Sequence, residues 1–404
     1  MPKILITGNG FDLNIGLPTS YNDFIKILSF VDGHHSFDFE TVYSKSANHE
    51  SIVSKFNSFE FDTKNIESLK HLIGKNQWFR FFKNEYEIET WIDFENKIEY
   101  VLKNLFASLE FIKDSAFSKG SLLENEIYYG SDLFKNNIEI MEVLSKFEII
   151  SLDNHRNITL NTKFLISKYG YFIDIDLDKI TKNLLSELYV FKKIFNYYFE
   201  IFVIPLYEKS KSKSYPFFSK INKHYTFNYT PTFEKIYGNK QITKFLHGKI
   251  NSVENKIVLG INEIPKNESL EKRHFLPFTK YFQKLNNNTD YIFIKEFETK
   301  VNNNYSFFFW GHSLDKSDED YLNEVFDFVN ELKTKTKKII IIYHNEKAKS
   351  VLLLNILNVR GKKDIQDLMR SQVLQFLHIE SKELQNELNR DISSRPIGIA
   401  TYSI

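Results

Sequence analysis

Apolar positions in this chain fall into two kinds of run. Near both ends they form short unbroken blocks, such as Ile4-Leu5-Ile6, Phe307 to Trp310 and Ile339 to Tyr343. A continuous apolar block bounded by turn residues reads as a strand buried on both faces, as in a parallel sheet. Segments 2–7, 224–228, 244–246, 256–259, 306–310 and 337–343 are the predicted strands. Helical patterns at 231–237, 318–329 and 346–357 alternate with the later ones. That alternation predicts an α/β fold, Rossmann-like, with a mostly parallel sheet. After the first strand, Thr19 or Ser20 caps a helix with Asp23 in its first turn and Phe24, Ile25, Ile27 and Leu28 on its apolar face.

Between the two ends the period changes. Trp91, Phe94, Ile98, Val101, Leu102 and Leu105 recur three or four apart, the stripe of an amphipathic helix. Leu184 to Phe202 is a second apolar-rich helix, ending near Pro205, whereas 125–180 follows no clear pattern. The expected organisation is one discontinuous unit, residues 1–40 and 220–360, interrupted by a large and mostly helical insertion over 41–219. A helical tail follows over 361–404. The first strand then joins the later ones across the insertion.

Composition removes several function classes. The 404 residues, 48.0 kDa, can bury a large core, and 16% aromatic content with 39 Phe predicts an aromatic-rich one. Lys+Arg is 53 against 52 Asp+Glu, a net charge of +1, so nothing in the charge points to a nucleic-acid partner. Only Thr334 to Lys338 is locally basic, and it reads as a solvated turn before a strand. The chain has no cysteine, which excludes disulfides, thiolate zinc sites and a cysteine nucleophile and fits a cytoplasmic protein. The opening apolar run is too short for a signal peptide, and none reaches the ~20 residues that span a bilayer. Glu89, Asp93 and Glu95 sit in a lysine-rich helical context and read as a solvated face, so no metal is expected.

Glycine is scarce, 14 in 404, yet Gly8, Gly10 and Gly16 fall close together between the first strand and the first helix. Glycine lets a ligand approach the main chain, and behind a strand and ahead of a helix that is how nucleotide phosphates are held. A tight strand-to-helix connection without ligand is the plainer alternative. Asn228, His247 and Gly311 also stand at predicted carboxyl ends of strands, where ligands of parallel sheets bind. Taken singly, Asn228 also reads as an Asx turn cap, His247 as a strand-end histidine, Asp12 as a turn cap and Trp91 as core.

Four segments carry a resemblance. They are Thr7-Gly8-Asn9-Gly10-Phe11-Asp12 with Gly16-Leu17-Pro18, Thr226-Phe227-Asn228-Tyr229-Thr230, Leu246-His247-Gly248, and Gly311-His312-Ser313-Leu314. Their order resembles the sirtuin-like NAD-binding superfamily. The opening, with Gly16-Leu17-Pro18-Thr19-Ser20-Tyr21, is similar to the bacteriophage abortive-infection AbiH family, as is Trp91-Ile92-Asp93-Phe94-Glu95.

The resemblance implies a sirtuin-like nucleotide-binding unit with NAD as substrate or ligand. Gly8, Asn9, Gly10, Phe11, Asp12, Pro18, Thr226, Gly311, His312 and Ser313 are then the expected cofactor-binding residues. Amide groups around Gly8 and Gly10 would cradle the pyrophosphate, and Gly311 and Ser313 would take the adenosine half. Asn228, a donor and an acceptor, would hold ribose or water, and His247 would act as base. Thr230 stands where sirtuins carry an acid, which leaves cleavage and binding alone both open. The deacylase arginine is absent, with Tyr21 and Asn22 in its region, and zinc cysteines cannot exist here. Water becomes the expected acceptor, making an NAD hydrolase. The alternatives are a non-catalytic NAD or ADP-ribose sensor, or a nucleic-acid-targeting effector. A phage-derived trigger and a homo-oligomer are the partners this leaves open.

Overall fold

Lys3–Thr7 is buried at every position and forms the first strand, β1. The structure is a computed structural model and describes residues 2–85, 91–117, 122–123, 138–152, 158–211, 220–238, 242–250, 256–264, 272–287, 293, 304–334 and 336–390. Five further strands join β1 in one sheet: β2 (Lys223–Thr226), β3 (Thr243–Phe245), β4 (Tyr305–Trp310), β5 (Lys337–Tyr343) and β6 (Leu374–His378). Every pairing is parallel, and the order is β6-β5-β4-β1-β2-β3. The chain winds outward from β1 in both directions, the doubly wound Rossmann-like arrangement, so the order reverses between β1 and β4. Register there runs from Lys3 opposite Ser306 to Thr7 opposite Trp310.

Alternation along each strand splits the core. Ile4, Ile6, Phe307, Phe309, Ile339 and Ile341 face one layer with Val325, Phe326 and Val329. Leu5, Phe308 and Ile340 face the other, shared with Trp78, Phe94, Ile98, Phe191 and Phe195. The central helices thus share one hydrophobic core with that face of the sheet. They include α3 (Trp91–Phe117) and α4 (Leu177–Phe202), two long helices at the expected places.

Several expectations need correction. The segment 256–259 is not a strand; it touches the sheet region through the Val258 amide, which donates to the His247 carbonyl at 2.9 Å. The helical insertion also carries small antiparallel pairings, Ile150–Leu152 with Ile158–Leu160 and Leu165–Lys168 with Tyr171–Ile175. The tail beyond 361 is not wholly helical, because it supplies β6 between two helices. Gln375 and His378 break its apolar run, and an edge strand needs only one well-buried residue, here Leu374.

The glycine-rich turn is also different from expectation. Helix α1 (Asn9–Ile15) begins directly after Gly8, placing Gly10 inside it, and Gly16 closes it at φ +98°. Only a residue tolerant of the left-handed region fits there, and its amide reaches the Asp12 and Leu13 carbonyls. Ser20 then starts α2 (Tyr21–Gly33) with a capping box: its side chain accepts from the Asp23 amide at 3.0 Å while the Asp23 carboxylate accepts from the Ser20 amide. Ser20→Ala is expected to lower stability by about 0.5–2 kcal/mol, read as a fall in the urea midpoint at constant slope. Among the described residues no helix is long and apolar enough to cross a membrane.

Candidate functional site

The reversal point of the sheet is built by close backbone contact. The Gly8 amide donates to the Trp310 carbonyl at 3.2 Å and the Gly10 amide to the Gly311 carbonyl at 2.8 Å. A Cβ at Gly8 would lie 2.7 Å from the Gly311 carbonyl oxygen, and one at Gly10 2.8 Å from Gly311 Cα. These glycines let the ends of β1 and β4 cross in contact. That corrects the expected cradle, since the Gly8 and Gly10 N–H groups are already spent on carbonyls. Phe11 N–H likewise donates to Gly8.

Above this crossing lies a cavity of about 770 Å³. Gly8, Asn9, Gly10, Asp12, Asn228, His247, Gly311, His312 and Ser313 all line it. Phe11, Pro18 and Thr226 do not. Phe11 is core, edge-on to Trp310 with ring centroids 4.9 Å apart. Pro18 offers its carbonyl to the Tyr198 hydroxyl at 2.7 Å. Thr226 is buried, bonding Thr7 at 3.0 Å and the Asn228 amide at 3.0 Å.

Asn228 is partly committed. Its Nδ2 donates to the Gly8 carbonyl at 3.0 Å, so its remaining capacity toward a ligand is chiefly as an acceptor through Oδ1. Beside it the Thr230 hydroxyl donates to Asp12 Oδ2. Asp12 is wholly buried, and its Oδ1 has no hydrogen-bond partner. Burial pushes its carboxyl up to about 7 against the Thr230, Thr232 and Asn228 hydrogen bonds. Thr230 therefore does not leave the site without an acid; Asp12 brings one to the same place from α1.

The opposite wall carries charge. It is built by Lys280 at the start of α5 (Lys280–Asn287), by Asp318 in the single turn before α6 (Glu319–Glu331), and by Glu95 of α3. Asp318 lies 3.5 Å from His247 Nε2 and 3.4 Å from His312 Nε2, one carboxylate oxygen to each. The Leu314 amide donates to His312 Nδ1 at 2.9 Å, so neutral His312 carries its proton on Nε2, facing Asp318. Burial alone would raise the Asp318 carboxyl, but both imidazoles and Lys280 hold it well below the usual range. Burial pushes His247 down to about 4 despite Asp318, leaving its imidazole neutral at neutral pH.

Lys280 meets Glu95 at 2.6 Å, both almost fully buried. Burial lowers Lys280, but Glu95 and Asp318 together raise it, so the ammonium sits between two carboxylates. Burial pushes Glu95 up to about 7 with Lys280 opposing. Glu95 is thus no solvated surface group: it lines the cavity. Glu89 lies outside the described residues, as do the side chains of Trp91 and Asp93.

Sequence reasoning missed Glu95, Lys280 and Asp318 as site residues. Asp318 was visible only as the start of a helix, and Lys280 left no signal. For Glu95 the signal was the Trp91-to-Glu95 segment, whose resemblance had no role attached. Comparison with known proteins adds one finding: the family model described as bacteriophage abortive infection AbiH matches residues 4–343. No curated protein matches, and no solved structure does.

Proposed function

From the premise that this chain belongs to the bacteriophage abortive-infection AbiH family, we propose that it is a cytoplasmic abortive-infection effector that binds NAD in this cavity and hydrolyses it to nicotinamide and ADP-ribose. One observation carries the reading. A neutral, buried His247 paired with an anionic Asp318 faces a nucleotide-sized cavity at the reversal point of a doubly wound sheet. Ligand pockets typically enclose about 300–1,000 Å³, and open parallel sheets bind ligands at this point.

The chemistry follows from these groups. Water adds to the ribose carbon as the nicotinamide–ribose bond breaks, and the bonding pair leaves on the ring nitrogen, neutralising its positive charge. Asn228 Oδ1 accepts a hydrogen bond from the water or the ribose. His247 takes the proton released as the new C–O bond forms, and Asp318 stabilises the imidazolium. Apolar walls from Phe227, Trp310 and Leu352 limit water in the cavity.

Incubation of the full chain with NAD tests this. Nicotinamide and ADP-ribose are expected in equal amounts, in vitro or in extracts of infected cells. The rate should fall as pH drops through about 4, where His247 gains its proton. Bound but intact NAD in both settings would favour the sensor. No binding at all would remove NAD altogether.

A further inference from the structure

The cavity extends well beyond the groups assigned to bond cleavage. It crosses the carboxyl ends of the sheet from Asn228 and His247, just after β2 and β3, to Tyr343 at the end of β5 and Ile379 just after β6. β2 and β5 are three strand spacings apart, roughly 14 Å. A dinucleotide with its nicotinamide beside His247 reaches that far when extended, its pyrophosphate over the crossing of β1 and β4. Its adenosine then lies between the end of β5 and α7 (Glu346–Arg360). The walls there suit a base: Tyr343, Leu352 and Ile379 are half-buried, and Val351 is 49% exposed. Charge is divided along the cavity. Among the described residues three acids line it, and each is held by its own partners: Asp12 by Thr230, Glu95 by Lys280, and Asp318 by His247 and His312. The adenosine end has no acid in its lining and one lysine, the exposed Lys347, with exposed His344 near it. Glu346, adjacent in the chain, pairs with Lys349 at 3.3 Å instead.

We propose that Lys347 receives a phosphate on the 2′-oxygen of the adenosine ribose, so that the cavity takes NADP+ as well as NAD+. This rests on the NAD reading above and adds to it a second substrate. A site restricted to NAD sets a carboxylate at the adenosine ribose, where it bonds the 2′-hydroxyl and repels a phosphate; a cation in its place does the opposite. The phosphate is remote from the reacting bond, so the chemistry is unchanged. Water adds to the nicotinamide-bearing ribose carbon, the bonding pair leaves on the ring nitrogen, and the proton released goes to His247. The products are nicotinamide and ADP-ribose carrying the 2′-phosphate.

The experiment is calorimetric titration of the full chain carrying His247→Ala, which slows hydrolysis, with NAD+ and with NADP+. Both should bind, with affinities within about tenfold of each other. Raising the ionic strength should weaken NADP+ more than NAD+, because an exposed contact is screened. Adding Lys347→Glu should weaken NADP+ by roughly 10-fold, since an attraction is replaced by a repulsion of similar size. Its effect on NAD+ should be much smaller. Lys347 is exposed in the first turn of α7, where a carboxylate is favoured, so this chain should melt with its parent. Binding of NAD+ without NADP+ would overturn this inference alone and leave the NAD reading standing. An equal loss for both nucleotides would place the ammonium at the shared pyrophosphate and overturn it too, as would no loss for either. Failure of both to bind would remove the NAD reading and this inference with it.

Discussion

His247→Ala should reduce nicotinamide release from NAD by roughly 10²–10⁴-fold, the usual cost of losing a general base. The loss should fall on kcat rather than on affinity, because His247 is assigned to the proton and not to the nucleotide. The fold should survive. His247 is neutral, its closest ring neighbour is Phe227 at 5.2 Å between centroids, and Asp318 keeps both His312 and Lys280 when it is gone. Thermal melts should stay close to the parent. Asn228→Ala should also slow release, with some loss of stability, because the Gly8 carbonyl then loses its partner. In infected cells the parent should deplete NAD and the His247→Ala chain should not. Unchanged NAD with the parent present, while infection still aborts, would sink the hydrolase reading. Undiminished release by purified His247→Ala would instead remove only the base.

Gly311→Ala should be the most damaging single substitution at the site, although it adds one methyl group. Gly311 has φ +66°, and a Cβ there would lie 2.1 Å from the Phe11 amide nitrogen and 2.4 Å from the Gly10 carbonyl carbon. Both are backbone atoms with no rotamer to escape into. They are fixed by five consecutive β1–β4 register pairs and by the Gly10-to-Gly311 hydrogen bond. Relief requires separating the two strands at the centre of the sheet, so a loss above ~4 kcal/mol is expected. The variant should unfold at least about 5 °C lower, at roughly 1 °C per kcal/mol for a chain of this length, or fail to accumulate as folded protein. Gly33→Ala is the control: no atom lies within 4 Å of its would-be Cβ, and it should melt with the parent. A Gly311→Ala chain with parental stability would mean that the ends of β1 and β4 do not cross in contact.

Much of the scaffold is legible locally. Ile4-Leu5-Ile6, Phe307-Phe308-Phe309 and Ile339 to Ile342 are unbroken apolar runs, and each is a central strand. Ser20 and Asp23 announce the start of α2, and Trp91 to Leu105 carry the stripe of α3. Such signals survive because strand burial, capping and helical amphipathicity are decided by residues a few positions apart. β6 was not legible, because an edge strand gains its pairing from β5 rather than from its own apolar pattern.

The sequence by itself determined that this is an α/β chain with no cysteine chemistry, and that glycines and polar residues gather at the carboxyl ends of its strands. Only the tertiary structure decided what those residues do. The Gly8 and Gly10 amides look available in sequence, but the carbonyls of Trp310, at the end of β4, and of Gly311, just after it, consume them. Thr230 looks like a lost acid, but Asp12, 218 residues away, meets it. Glu95 looks solvated, but Lys280 buries it in an ion pair. Asp318 becomes a site residue only when the fold sets it between His247 and His312. Each of these depends on burial and on a partner distant in the chain. Local pattern carries no information on either, because desolvation and charge pairing are set by whatever the completed fold places alongside.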